Sequence, residues 1–160
     1  MSTRLDWFQA SPGAMHALLG VQNVINESGL EHPLLELVKM RASQINGCAY
    51  CIDMHSKDAR AAGETEQRLF LLDAWREAAH LYTARERAAM AYTEAVTRLP
   101  SNHVPDDVYD AVKAEFKDGE LVNLTLAITA INSWNRMNIA FQVKAGDYQP
   151  GMFKAVRRAS

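Results

Sequence analysis

Residues 120–143 constrain the fold more than any other stretch of this chain. Wound as a helix they are apolar on most sides, and such a helix has to be wrapped by other elements rather than laid on a surface. The longest apolar run within it, residues 121–131, is too short to span a bilayer and is interrupted by Asn123, Thr125 and Thr129. The wrapping must therefore come from the chain itself. No segment shows sustained period-2 alternation bounded by hairpin turns, so the partners are helices too. The reading is an all-α domain of six to eight helices with a buried C-terminal helix.

Glycine and proline mark the helix ends. Ser11-Pro12 opens a first helix through Met15, Leu18, Leu19, Val21, Gln22 and Ile25, with Gly29 beyond its end. Pro33 starts a second, over residues 33–44, which Asn46-Gly47 breaks. A third begins near Cys48 and stops at Gly63. Thr65 caps a short fourth segment. Thr83-Ala84-Arg85-Glu86 is a capping box, in which hydroxyl and carboxylate satisfy each other's backbone donors. The helix it opens ends before Pro100. Pro105-Asp106-Asp107 opens another, to about Phe116. Lys117-Asp118-Gly119 reads as a turn before the last helix.

A chain of 160 residues fits a single domain over 1–160, with its core at about 33–145. The formal net charge of −2, from 17 Lys+Arg against 19 Asp+Glu, argues against a nucleic-acid partner. The N-terminal residues lack the apolar core of a secretory signal, and no stretch calls for a membrane. Two cysteines do not make a disulfide-rich secreted scaffold. The expected compartment is the reducing cytoplasm, where paired cysteines more often do chemistry or hold metal than staple a fold.

Those cysteines carry the chemistry. In Ile45-Asn46-Gly47-Cys48-Ala49-Tyr50-Cys51-Ile52-Asp53-Met54-His55, Cys48 and Cys51 stand at i and i+3, and His55 follows Cys51 by four. On a helix all three share a face. Gly47 lets the chain turn into that helix, which puts both cysteines near its unpaired N–H groups. The attacking species is a thiolate. A cysteine with its ordinary pKa near 8.5 is mostly protonated at neutral pH, and a shift to about 6.5 makes it mostly thiolate. A helix N-terminus and a nearby imidazole both push that way. Cys51, one turn from His55, is the candidate nucleophile, and Cys48 is placed to resolve.

Three other readings stand beside redox chemistry. A structural disulfide over so short a loop would contribute only about 2 kcal/mol of chain entropy, against about 3 for fifteen residues. A zinc site would need Cys48, Cys51, His55 and a carboxylate, without the second Cys/His pair that structural zinc usually has. Two unrelated buried thiols remain a third possibility. A thioredoxin fold is excluded, because the flanking sequence is helical and not βαβ.

The run from Glu36, through eleven residues, to Cys48-Ala-Tyr-Cys51-Ile-Asp-Met-His55 and on to Arg60 resembles the AhpD-like alkylhydroperoxidase branch of the carboxymuconolactone decarboxylase family. Thr83-Ala-Arg-Glu86 and Ile131-Asn-Ser-Trp-Asn135-Arg-Met-Asn138 extend the resemblance to about two thirds of the chain. It implies an all-α fold assembled as a homo-oligomer, a trimer or hexamer. It implies a peroxidase in which Cys51 attacks a hydroperoxide and becomes a sulfenic acid, which Cys48 converts to a disulfide. His55 would act as base and Glu36 would help move the proton. No bound cofactor or metal is implied. An external dithiol reductant, in some relatives a lipoyl group on another protein, would restore the thiols. Tyr50 stands where well-known members carry a second histidine. Its hydroxyl can donate a hydrogen bond but not accept a proton at neutral pH. The same scaffold also admits a lactone decarboxylase or isomerase, and a redox-sensing or metal-holding module without turnover.

Taken by spacing alone, Glu36 shares a polar stripe with Lys39 and Ser43, which reads as a solvated face. Asn132, Asn135 and Asn138 form a polar stripe on the last helix and are expected to bond between helices or subunits. His16, His32, His80 and His103 read as surface or capping residues, and Trp7, Trp75 and Trp134 as core or interface anchors.

Overall fold

The computed structural model describes residues 3–152, so the ends of the expected 1–160 domain, residues 1–2 and 153–160, lie outside the described part. The described residues contain eight α-helices. They are α1 (Trp7–Ala10), α2 (Pro12–Asn26), α3 (His32–Asn46), α4 (Ala49–Ala61), α5 (Glu66–Phe70), α6 (Ala84–Arg98), α7 (Asp106–Glu115) and α8 (Asp118–Ala140). Two short 3₁₀ turns, Leu72–Ala74 and Ala79–Leu81, link α5 to α6.

Local chemistry sets most of the boundaries. Pro12 and Pro33 sit in the first turns of α2 and α3, where a missing N–H costs nothing. Thr83 Oγ1 accepts from the Glu86 backbone, and the Glu86 carboxylate accepts from the Thr83 N–H, completing the expected capping box of α6. Several boundaries differ from the reading above: α8 ends at Ala140 rather than 143, and α3 runs to Asn46 rather than 44. Trp7–Ala10 forms a helical turn of its own, capped by Asp6, which is too short to show a period in sequence. Residues 117–119 are not a free turn: Lys117 is the N-cap of α8, and Glu120 reaches back to its N–H, so helix begins at Asp118 despite Gly119.

α8 is central, as its apolar surface requires, packing against α2, α3, α4 and α6. It buries Leu121, Leu124, Ile128 and Ile131 along one face, while Val122 stays exposed on the other. α3 is enclosed more completely. Every residue from Leu34 to Ser43 is buried, because α4, α6 and α8 cover it from three sides. The largest apolar cluster joins α2, α3, α6, α7 and α8. A second gathers Leu37 and Met40 of α3 with Leu72, Trp75 and Met90. A third, small cluster holds Ala42, Cys48, Cys51 and Ile131 where α3, α4 and α8 meet.

The polar groups that α3 buries are paired. Arg41 Nε donates to Glu94 Oε1 at 2.8 Å, and Trp75 Nε1 donates to the same oxygen at 2.9 Å. Glu94 is held below the usual carboxylate range: burial raises it, but the Trp75, Arg76 and Arg41 hydrogen bonds outweigh that. This clamp ties α6 to α3 on the side away from the cysteines.

Candidate active site at the α3–α4 turn

The turn that makes the site is Gly47. It ends α3 in the left-handed region (φ 69°, ψ 29°), with its N–H on the Gln44 and Ser43 carbonyls. The next N–H, of Cys48, bonds back to Ser43 O at 3.0 Å. The chain reverses without a gap, and Cys48 becomes the N-cap residue of α4 rather than its first helical residue. Cys51 follows in the first turn and His55 one turn further on. All three are buried.

Cys48 Sγ donates to Cys51 Sγ at 2.9 Å, and both thiols are free. Their titration is shared. The Cys51 hydrogen bond eases ionisation of Cys48, lowering its pKa to about 7 against burial, with help from the Cys51 N–H and Asn135. The same pairing with Cys48, together with burial, pushes Cys51 up. The dithiol therefore loses one proton readily and the second only with difficulty. His55 Nδ1 meets Glu36 Oε2 at 2.7 Å.

Glu36 corrects the solvated-face expectation. The stripe with Lys39 and Ser43 is buried, because α4 and α8 close over it; Glu36 is 3% exposed and Lys39 5%. Burial alone would raise the Glu36 carboxyl. The His55 and Lys39 charges beside it win, and hold it well below the usual carboxylate range. Lys39 Nζ donates to Glu36 Oε1 at 3.0 Å. An ionised carboxylate can only accept, so Nδ1 of His55 carries a hydrogen, and Nε2 is the ring atom that can exchange a proton with the pocket that His55 lines. His32, with its side chain half-exposed, approaches Glu36 from the surface at 3.7 Å.

Cys51 faces a cavity of ≈ 50 Å³ walled by Phe8, Met15, Leu19, Met54 and Trp134. Its polar lining includes His55, Lys39, Tyr50 and Asn138. Burial, then the Cys51 charge, raises the Tyr50 phenol to about 12, which keeps its hydroxyl a donor. Cys48 does not line this cavity. It lines an open groove on the other side of Tyr50 and Asn138, bounded by Gly47, Ala49 and residues 142–145.

The asparagine stripe of α8 does more than join helices. Asn46 Nδ2 donates to Asn132 Oδ1 and Asn135 Oδ1, and Asn135 Nδ2 donates to Ser43 Oγ, as interhelical bonding predicts. Asn138, however, donates to Cys51 Sγ at 3.3 Å. Sequence reasoning missed this contact, although a polar stripe at i, i+3 and i+6 on an apolar helix was its signal.

Among the described residues, the donor atoms that gather as metal ligands do are those of Glu36, His55 and Asp58, all within 4.8 Å of one another. Neither cysteine belongs to that group. Lys39 on Glu36 and the Tyr148 hydroxyl on Asp58 (2.8 Å) already occupy its carboxylates, and a buried ammonium beside it opposes a cation.

No described helix is long and apolar enough to cross a membrane. The model of the carboxymuconolactone decarboxylase family matches residues 12–95. The uncharacterised protein YdfG of Bacillus subtilis is 41% identical over 145 residues, 91% of this chain and 98% of its own length. A crystal structure of a protein of unknown function from Agrobacterium tumefaciens, whose name refers to antioxidant defence and AhpD, superposes with a TM-score of 0.87 at 42% identity. That match covers 92% of this chain and 100% of the other. The alkyl hydroperoxide reductase AhpD of Corynebacterium kroppenstedtii is 38% identical over 48 residues, 30% of this chain and 28% of its own length.

Proposed function

This chain belongs to the carboxymuconolactone decarboxylase family, and from that premise we propose that it is a dithiol hydroperoxide reductase, with Cys51 as nucleophile and Cys48 as resolving thiol. The observation that carries the reading is the pair of sulfurs 2.9 Å apart, one of them facing an apolar cavity that also holds a carboxylate-backed imidazole.

The dithiol loses its first proton near neutral pH. Moving its remaining proton from Cys51 to Cys48, across 2.9 Å, leaves the charge on the sulfur that faces the cavity. Cys51 then attacks the terminal oxygen of ROOH. An S–O bond forms, the O–O bond breaks, and RO⁻ takes a proton to leave as ROH. His55, held by Glu36, takes the first proton that leaves the dithiol and returns it to RO⁻, and the Tyr50 hydroxyl donates a hydrogen bond to the developing oxyanion. Cys48 then attacks the Cys51 sulfenic acid. The S–S bond forms, the S–O bond breaks, and hydroxide leaves as water with the proton from Cys48. An external dithiol, of lipoyl type and carried by another protein, supplies the two electrons and two protons that restore the thiols. No bound cofactor enters the cycle, which suits a reducing compartment such as the cytoplasm. The apolar side chains left exposed, Phe70 and Val122 among them, fit a homo-oligomer of three or six chains.

The test is a free-thiol count and intact mass after one equivalent of cumene hydroperoxide. The wild type should lose two thiols and two hydrogens. Cys48→Ser should gain one oxygen at Cys51, and Cys51→Ser should keep its remaining thiol. Survival of both wild-type thiols would overturn the reading and favour lactone chemistry, which needs an acid and a base but no dithiol.

A further inference from the structure

Trp7 lies outside the segment matched by the family model, yet its side chain ends two hydrogen bonds from the reactive sulfur. The ring is 2% exposed, stacked on Phe8 with centroids 4.4 Å apart and tilted against Trp134 at 5.6 Å. Its Nε1 donates to Asn138 Oδ1 at 3.3 Å, and Asn138 Nδ2 donates to Cys51 Sγ at 3.3 Å. An indole N–H can donate and cannot accept. It therefore selects the oxygen end of the Asn138 amide, which turns the NH₂ end toward the sulfur.

Resting on the peroxidase reading above, we propose that Trp7 is a positioning residue: its N–H fixes the Asn138 amide so that a donor always faces Cys51 and steadies the negative charge there once the dithiol's remaining proton has moved to Cys48. Two donors then converge on Cys51 Sγ, the Asn138 NH₂ and the Cys48 thiol. Without the indole N–H the amide is free to rotate. Its oxygen would then accept from a Cys51 thiol and repel a thiolate, opposing the move of the proton from Cys51 to Cys48. The other titratable groups around Cys51 belong to different elements: Cys48, Tyr50 and His55 at the start of α4, and Glu36 and Lys39 on α3. The face of α8 toward the sulfurs offers Asn135 and Asn138, and the wall from α2 offers Met15, Leu19 and Gln22.

The experiment titrates Cys51 alone, in the Cys48→Ser protein, by its iodoacetamide rate as a function of pH. Trp7 is replaced by 3-benzothienylalanine, which keeps the ring shape but has sulfur in place of the N–H. Trp7→Phe serves as a second variant. The expected result is a pH profile displaced upward and a rate at pH 7 lower by about 3- to 10-fold, the effect of one hydrogen bond of ordinary strength. In the Asn138→Leu protein the same replacement should change nothing, since the coupling runs through that amide. An unmoved profile overturns the proposal, even if the melting temperature falls, because Trp7 would then only pack. An equal displacement in the Asn138→Leu protein overturns it too. None of these readouts uses a peroxide, so failure of the peroxidase reading shows separately, as thiols that survive hydroperoxide.

Discussion

Glu36 carries a full negative charge in the interior because two partners share it. His55 takes one oxygen and Lys39 the other. Removing the charge leaves a buried ammonium unpaired, and that omission is what costs most in a buried pair. Glu36→Gln should therefore lower stability by about 3 kcal/mol at pH 7, and Glu36→Gln with Lys39→Met should recover part of the loss. Urea unfolding of both proteins checks this. The pH sign follows from the depressed carboxyl. Its contribution is fully present above the ordinary value of 4.5 and fades as the pH falls toward the folded-state value, so the gap between wild type and Glu36→Gln should narrow in acid. A gap that stays constant down to the acid transition would mean that Glu36 is not ionised in the fold. The same residue shows where spacing misleads. Glu36, Lys39 and Ser43 look like a solvent-facing stripe, and the helix period alone carries no information on which other helices cover that side.

At the scale of the element, the α3–α4 reversal decides how the cysteines are used. Gly47 is in the left-handed region, and a Cβ added there would meet nothing within 4 Å. The cost of Gly47→Ala is then conformational only, about 1 kcal/mol, and Gly47→Asn should cost less because asparagine tolerates this region. Denaturant midpoints of the two variants test this, and equal losses would show that something other than backbone conformation sets the cost. The turn itself was legible, since Asn46-Gly47 between two periodic segments reads as a break. That Cys48 becomes an N-cap residue, with its sulfur turned to Cys51, follows from the next N–H bonding back to Ser43. α1 was not legible at all: four residues show no period, and its place is set by Trp7 packing on Phe8 and Trp134.

At the scale of the molecule, α8 acts as the post around which the other helices close. Its apolar face meets α2, α3 and α6, and its asparagines bond to α3 or reach the sulfurs. Val122, on the opposite side, is 66% exposed, and Phe70 is 77% exposed. On the proposed reading, further copies of the chain cover these exposed apolar side chains. Light scattering of the purified protein should give three or six times the 17.9 kDa of one chain. A mass of one chain at micromolar concentration would sink the oligomer proposal and leave those side chains without a partner.

The sequence by itself determined what depends on neighbours along the chain. The helix ends at Pro12, Pro33, Gly47, Gly63 and Thr83, the all-α class, and the i, i+3, i+7 spacing of Cys48, Cys51 and His55 are all consequences of short-range geometry and periodicity. Only the tertiary structure decided what depends on which faces meet. It buried Glu36 and Lys39 under α4 and α8, set His55 on Glu36, and brought Asn138 to the sulfur across 87 residues of sequence and Trp7 to Asn138 across 131. Local hydrogen bonds and rotational periods fix which residues share a side of a helix. Which side becomes interior is settled by how all the apolar surfaces are covered at once, and no single segment contains that information.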